Sequence, residues 1–362
     1  FKPRFDPADL AAERRHVLAD RAALLEDDES LAYESLLRFV YRGQGAGRSI
    51  QGNAVSLGKI EPSHCRAWLS KALQNRPIRV GVSTSLSASS VHQVLHKHAP
   101  VLLNSFQRPK VARLPAARID GRRLLVLDHP GHAQATIALA MAAPAATDPQ
   151  SDALALADLV IGGMFSSRLN YRIRDQRGWA YSVQSSVLQG RQGGLWVAQW
   201  SADPKIASES LDLAMRIVEL AITEGLTDGE LNKARGFHIQ EPRYAHETPR
   251  DELLERMHTW RLGLPQRSFE TRTQKLTSIN KKDVKRALRS CLNPGQVAVV
   301  VIGDAKRLMP SLAQNRAGFA IEVIALKGAP DKSTVKGNVL RVTGPPTGPV
   351  KRSPPGPSKA KR

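Results

Sequence analysis

The sequence predicts an α+β chain of two similar domains in tandem, the first incomplete at its N-terminus. Three observations predict it. Helix-like and strand-like patterns share both halves of the chain, one helix-then-strand unit occurs twice, and a glycine-bounded corner near the middle reads as helix, stop and strand. In the first copy of the repeated unit, Leu57–Ile60 leads through Trp68, Leu69, Ala72 and Leu73 into Ile78, Val80 and Val82. In the second, Leu276–Ile279 leads through Ala287, Leu288, Cys291 and Leu292 into Val297, Val299 and Val301. Ile60 and Ile279 are 219 residues apart, as are Val80 and Val299. Each copy reads as a helix followed by a strand with alternate valines. Self-similarity over so long a period means tandem domains rather than a solenoid. The second copy opens near Leu124, with a strand running into the turn Asp128–His129–Pro130–Gly131. Its counterpart in the first copy would fall about 95 residues before Phe1, so the first copy is expected to lack its beginning.

The elements follow in order. Asp6-Pro7-Ala8-Asp9 is a helix start, with a proline at an early position and acids at the positive end of the dipole, and a helix from Leu10 to Leu25 follows. Gly43 to Gly52 is a glycine-rich loop spaced too irregularly for a phosphate or dinucleotide cradle. Residues 1–104 are expected to be the C-terminal half of a first domain. Residues 105–118, basic and containing Pro109 and Pro115, read as a linker, and 119–327 as the second domain. In that domain Val126–Leu127 and Ala135–Met141 are strands, and Ala153–Ile161 and Ser208–Glu224 are helices. The latter carries Leu211, Met215, Val218 and Ile222 on one face. Residues 328–362, with seven prolines and eight Lys or Arg against one acid, read as a disordered basic tail.

Composition narrows the function. No apolar run approaches the length that spans a bilayer, and Phe1-Lys2-Pro3 begins no signal region. Cys65 and Cys291 are too far apart in sequence to form a cysteine-based zinc motif. They read as small buried apolar residues. The net charge of +20 invites a nucleic-acid partner. However, the tail carries +7 of it, and the rest is spread without a dense stripe or an aromatic platform. The distribution therefore weakens that reading and leaves a nucleic-acid binder through the basic tail as a third, weaker one.

The corner is Gly162 to Ser186. Ser166 or Ser167 can cap a short helix, Leu169 and Ile173 give it an apolar edge, and Gly178 can end it in the left-handed conformation. Trp179 to Val183 reads as a strand, with Trp179, Tyr181 and Val183 on one face. Gly162-Gly163, Phe165-Ser166-Ser167-Arg168-Leu169, Ile173-Arg174 and Arg177-Gly178-Trp179-Ala180-Tyr181-Ser182-Val183 resemble the signature of the second domain of the M16 (pitrilysin-like, inverzincin) metallopeptidases. The resemblance implies tandem M16-type domains, each a mainly antiparallel sheet with helices packed on one face. It also implies that Arg174 and Tyr181 reach a substrate in an active site built by another domain. There a guanidinium can fork onto a carbonyl or carboxylate, and a phenol can donate to a developing oxyanion. Gly193-Gly194-Leu195-Trp196-Val197 resembles a core strand of that domain.

Catalysis by this family needs His-x-x-Glu-His on a helix, two histidines for zinc and a glutamate to activate water. The chain has no such motif. His92-Gln-Val-Leu-His96 has the histidine spacing, but Leu95 stands where the base must be. The family's third-ligand frame resembles Glu13-Arg14-Arg15-His16-Val17-Leu18-Ala19-Asp20, with the shorter Asp20 in the ligand position, so Glu13 and Asp20 read as a remnant. The resemblance thus implies a non-catalytic subunit that binds no metal or cofactor itself. Zinc would sit on a partner M16 subunit with the intact motif, and the substrate would be a peptide. If the source is bacterial, the compartment would be periplasm or cytoplasm. The alternative is a structural or assembly subunit, like the respiratory-complex core proteins that resemble the family without cleaving.

Overall fold

The computed structural model describes residues 3–75, 80–100, 116–245, 248–265, 268–315 and 319–326. The expected tail lies outside them, as does the linker up to Pro115. The element order is α1 (Pro7–Glu26), α2 (Asp28–Val40), α3 (Ala54–Gly58), α4 (Pro62–Asn75), α5 (Ala88–His98), β1 (Arg122–Asp128), β2 (Ala135–Ala143), α6 (Ser151–Asp158), β3 (Val183–Leu188), β4 (Gly194–Ala202), α7 (Ala207–Glu224), α8 (Asp228–Ala245), α9 (Pro249–Leu262), α10 (Ser268–Ser278), α11 (Lys281–Cys291), β5 (Val297–Gly303), α12 (Ala305–Asn315) and β6 (Phe319–Ala325). α1 starts where the sequence predicts: the Asp6 carboxylate accepts the Ala8 N–H at 2.8 Å, and Pro7 fills the first helical position.

The six strands form one sheet in the order β3-β4-β2-β5-β1-β6. Pairs β3–β4, β4–β2 and β2–β5 are antiparallel, while β1 runs parallel to both β5 and β6. This is the α+β, mainly antiparallel architecture the resemblance implies.

Strand alternation sends two sets of side chains to opposite faces. Leu124 and Val126, Ile137, Leu139 and Met141, Trp196 and Trp200, and Val297, Val299 and Val301 join one core under α6, α7 and α11. Leu125 and Leu127, Ala138 and Ala140, Leu195 and Val197, and Val300 and Ile302 join a second core on the other face. That face needs its own cover, and α2 supplies it with Leu31, Leu36, Phe39 and Val40. The run Val297-Ala-Val-Val-Val-Ile302 is therefore buried on both sides of the sheet. A helix from the first hundred residues thus belongs to the core of the later sheet.

The repeated helix is present in both copies, and α4 and α11 begin 219 residues apart, at Pro62 and Lys281. Of the expected first-copy strand, the described part is not one: residues 80–84 have no regular structure and Val80 and Val82 are exposed, while Ile78 lies outside the described residues. A strand forms only against a neighbour, and none of the described residues before Arg122 is in a strand. Cys65 and Cys291 are free thiols and half-buried rather than fully enclosed. Burial raises the Cys291 thiol above its ordinary value, and the neighbouring Ser290 partly offsets this.

Candidate functional site

The corner is assembled from buried polar anchors. α6 does not run on to Ile161 as a regular helix. From Leu159 to Gly163 it widens into a π-type turn, closed by the Met164 N–H on the Leu159 carbonyl at 3.0 Å. Such widened turns often mark functional positions. Gly162 is required there, because a Cβ would lie 2.4 Å from Ser185 Oγ and 2.9 Å from Leu169 Cδ1. Asp158 closes the turn from inside. Its carboxylate accepts the Ser185 hydroxyl and, at 2.7 Å, the Trp196 indole N–H, tying α6 to β3 and β4. Burial raises this carboxyl to about 6, while the hydrogen bonds from Ser185 and Trp196 and the nearby His238 pull it down.

Asn170 does the next part of the work. Its amide oxygen accepts the Val183 N–H at 2.9 Å, and its amide nitrogen donates to the Val183 carbonyl at 2.7 Å. One buried side chain therefore pairs the first residue of β3 as a strand would. The segment from Asn170 to Asp175 is again a wide turn. Leu169 and Ile173 are fully buried, as their spacing predicts. Ser167, the expected cap, takes the Asn170 N–H on its hydroxyl at 3.4 Å. Gly178 has φ +64°, and its N–H returns to the Arg174 carbonyl at 2.8 Å.

The expected strand from Trp179 is corrected: the ladder begins at Val183. The Trp179 N–H is spent on the Ile173 carbonyl at 3.0 Å, so the chain is still leaving the helix at that point. Residues 179–182 form a loop, and Trp179, Tyr181 and Val183 do not share a face. Val183 is buried, Trp179 is half-buried against the core, and Tyr181 is 91% exposed.

Three of the four corner arginines have different jobs. Arg168 forks onto Glu230 with Nε and Nη2 at 2.7 and 2.8 Å and donates to the Gly225 carbonyl at 3.0 Å. Glu230 also accepts the Thr227 N–H at 2.8 Å, which caps α8. Burial opposes the charge on Glu230, yet Arg168 and Thr227 together hold its carboxyl down at about 2. Arg168 is thus a structural fork. Arg177 lies over the Trp179 ring, 5.0 Å from its centroid. Arg174 lies over the ring of Phe165 at 4.6 Å and meets Asp175 at 3.2 Å, with its side chain 30% exposed. Phe165, Tyr171 and Tyr181 are all exposed at this corner. It therefore offers a cation, aromatic faces and a phenol on a rigid buried frame.

The remaining predicted positions stand elsewhere. Glu13 and Asp20 lie exposed on α1, with Asp20 facing His16 at 3.6 Å. His92 and His96 lie exposed on α5, their rings 6.5 Å apart. A cluster that sequence reasoning missed joins α2 to the β1–β2 turn: Asp28 meets His129 Nδ1 at 3.3 Å and His132 Nδ1 at 2.7 Å. The spacing His129-x-x-His132 was a possible signal, but it reads first as part of a turn. Among the described residues, no helix is long and apolar enough to cross a membrane.

Comparison with known proteins agrees with this architecture. The family described as peptidase M16 inactive domain matches residues 55–236. An uncharacterized zinc protease of Mycobacterium tuberculosis is 22% identical over 228 residues, 63% of this chain and 52% of its own length. The chain thus spans about half the length of the curated relatives it matches. Among solved structures, the peptidase M16 inactive domain from Pseudomonas fluorescens superposes with a TM-score of 0.73 at 20% identity, covering 83% of this chain and 71% of that one. A chain of complex III2 from Candida albicans superposes with a TM-score of 0.68 at 14% identity, covering 82% and 71%. Membership in an inactive-domain family agrees with the absence of His-x-x-Glu-His. The chain belongs to the peptidase M16 family, matched through that family's inactive domain.

Proposed function

We propose that this chain is the non-catalytic subunit of a heteromeric zinc metallopeptidase. In this reading residues 1–104 are the end of a first M16-like domain and 119–327 the second. Arg174 and Tyr181 act on a peptide held against a partner subunit that carries His-x-x-Glu-His and the zinc. The observation that carries the reading is the corner itself. Asp158, Asn170 and Arg168 immobilise its frame, while Tyr181 is left almost wholly in solvent and the Arg174 side chain is 30% exposed. A scaffold gains nothing from an exposed phenol on a rigid loop. A guanidinium can fork onto a substrate carbonyl or carboxylate, and a phenol can donate to the oxyanion of the tetrahedral intermediate.

The test mixes the full chain with an M16 subunit that has the intact motif. The chain alone cleaves no peptide, and the mixture cleaves. Arg174→Ala and Tyr181→Phe each lower kcat/KM of the mixture at least about tenfold, within what loss of an oxyanion donor costs, with unchanged thermal unfolding. Unchanged activity in both variants would remove the role assigned to the pair.

The second reading is an assembly subunit with no part in proteolysis. The superposition on a chain of complex III2 supports it. In that case the chain copurifies with a larger complex, and Arg174→Ala leaves activity untouched.

A further inference from the structure

We infer that Asp28, His129 and His132 form a binding site for a divalent transition metal. Three metal-competent side chains converge here from two distant stretches of chain, one ligand atom from each lying within 4.8 Å of the others. It is the one such group among the described residues. Asp28 offers one carboxylate oxygen to each imidazole, at 3.3 and 2.7 Å, and the two rings stack with centroids 3.4 Å apart. In a tetrahedral site with bonds of about 2.0–2.2 Å, donors stand roughly 3.3–3.6 Å apart. The Asp28–His129 contact already stands at that spacing, and metal binding requires the Asp28–His132 contact to open and the stacked rings to turn apart so that both aim at one ion. Two imidazoles and a carboxylate suit zinc, copper or nickel rather than calcium or magnesium. Three protein donors leave a fourth position open.

The surroundings hold the donors in place, as supporting contacts do in metal sites. The His129 N–H donates to the Gly303 carbonyl at 2.9 Å, and the Gly131 N–H donates to Asp304 at 3.3 Å. Gly131 takes φ +82°, which folds the turn so that both rings face α2. Asp28 sits in the first turn of α2, behind the cap that Asp27 makes on the N–H groups of Glu29 and Ser30. The role assigned to the site is structural: to pin α2, the cover of the sheet's second face, to the β1–β2 turn. The proposal departs from the expectation that the chain binds no metal, and it stands apart from the Arg174–Tyr181 reading.

The experiment titrates zinc chloride into the full chain, without a polyhistidine tag and stripped by chelator, and follows heat and thermal unfolding. One equivalent binds and raises the unfolding midpoint. Asp28→Asn and His132→Gln each weaken binding at least tenfold and abolish the rise. The double variant His92→Gln/His96→Gln changes neither. Hydrogen exchange on the unmutated chain is the second arm: zinc slows exchange at the start of α2 and at residues 129–132 together. No stoichiometric heat, binding that survives Asp28→Asn and His132→Gln, loss of binding in the α5 variant, or protection confined to other segments would each overturn the site.

Discussion

Asp158 shows how a single buried acid constrains the whole corner. It joins α6 to β3 and β4 through Ser185 and Trp196, at the cost of a carboxyl raised to about 6 from an ordinary 3.8. Between those values the folded chain holds a proton that the unfolded chain has released. Stability from this group is therefore complete at the acid end of the window, falls as pH rises through it, and is level above about 6. A shift of this size corresponds to about 3 kcal/mol. Asp158→Asn is expected to remove that decline, because its amide stays neutral while still accepting from Trp196. Urea unfolding of both proteins at pH 4.5, 5.5 and 7 checks it. If the difference between them is the same at all three values, the carboxyl is not titrating in that window. Glu230 works in the opposite sense. Held down at about 2, it contributes stability above an ordinary 4.5 that is lost as pH falls toward 2. Comparing variant with parent isolates Asp158 from it.

At the scale of elements, the corner depends on a side chain standing in for a strand. Asn170 gives Val183 both of its missing backbone partners. Asn170→Ala would leave a buried N–H and a buried carbonyl unpaired, which costs about 1–3 kcal/mol for each group left unsatisfied. The expected outcome is a clear drop in thermal stability together with faster hydrogen exchange through 179–183. Equal exchange in variant and parent would show that the loop is held by something else. The signature residues here divide by role. Gly162, Arg168, Leu169, Ile173 and Gly178 build the frame, and Phe165, Arg174 and Tyr181 stand on its outside. Much of this was readable from spacing: the buried edge at i and i+4, the left-handed glycine and the serine cap all follow local rules. The strand boundary was not, because alternation from Trp179 to Val183 looks like a strand whether or not a ladder partner is in reach.

At the scale of the molecule, the two cores make a prediction about cooperativity. α2 caps the second face of the sheet through Leu36 and Phe39, both almost fully buried, with Arg123 4.5 Å from the Phe39 ring centroid. Phe39→Ala is expected to cost about 3–5 kcal/mol, the usual price of emptying an aromatic site in a core. A loss below about 1 kcal/mol in urea unfolding would mean that α2 is not part of the cooperative unit. The sheet's double burial explains why the repeat does not give two equal strands. Val297–Gly303 has β1 and β2 as neighbours, whereas Val80 and Val82 have none among the described residues.

The amino-acid sequence alone determined the α+β class, the helix repeat at 219 residues, the capped and glycine-stopped corner, and the lack of a helical His-x-x-Glu-His. Each of these is written in residues a few positions apart, where helix and strand periods and turn chemistry act. Only the tertiary structure decided that α2 covers the second face of the sheet, that Asp158 and Asn170 lock the corner, and that Asp28 meets His129 and His132. These meetings need the folded sheet to bring separated segments together, as with Asp28 and His129, 101 positions apart in the chain. No local period in the chain encodes such a distance.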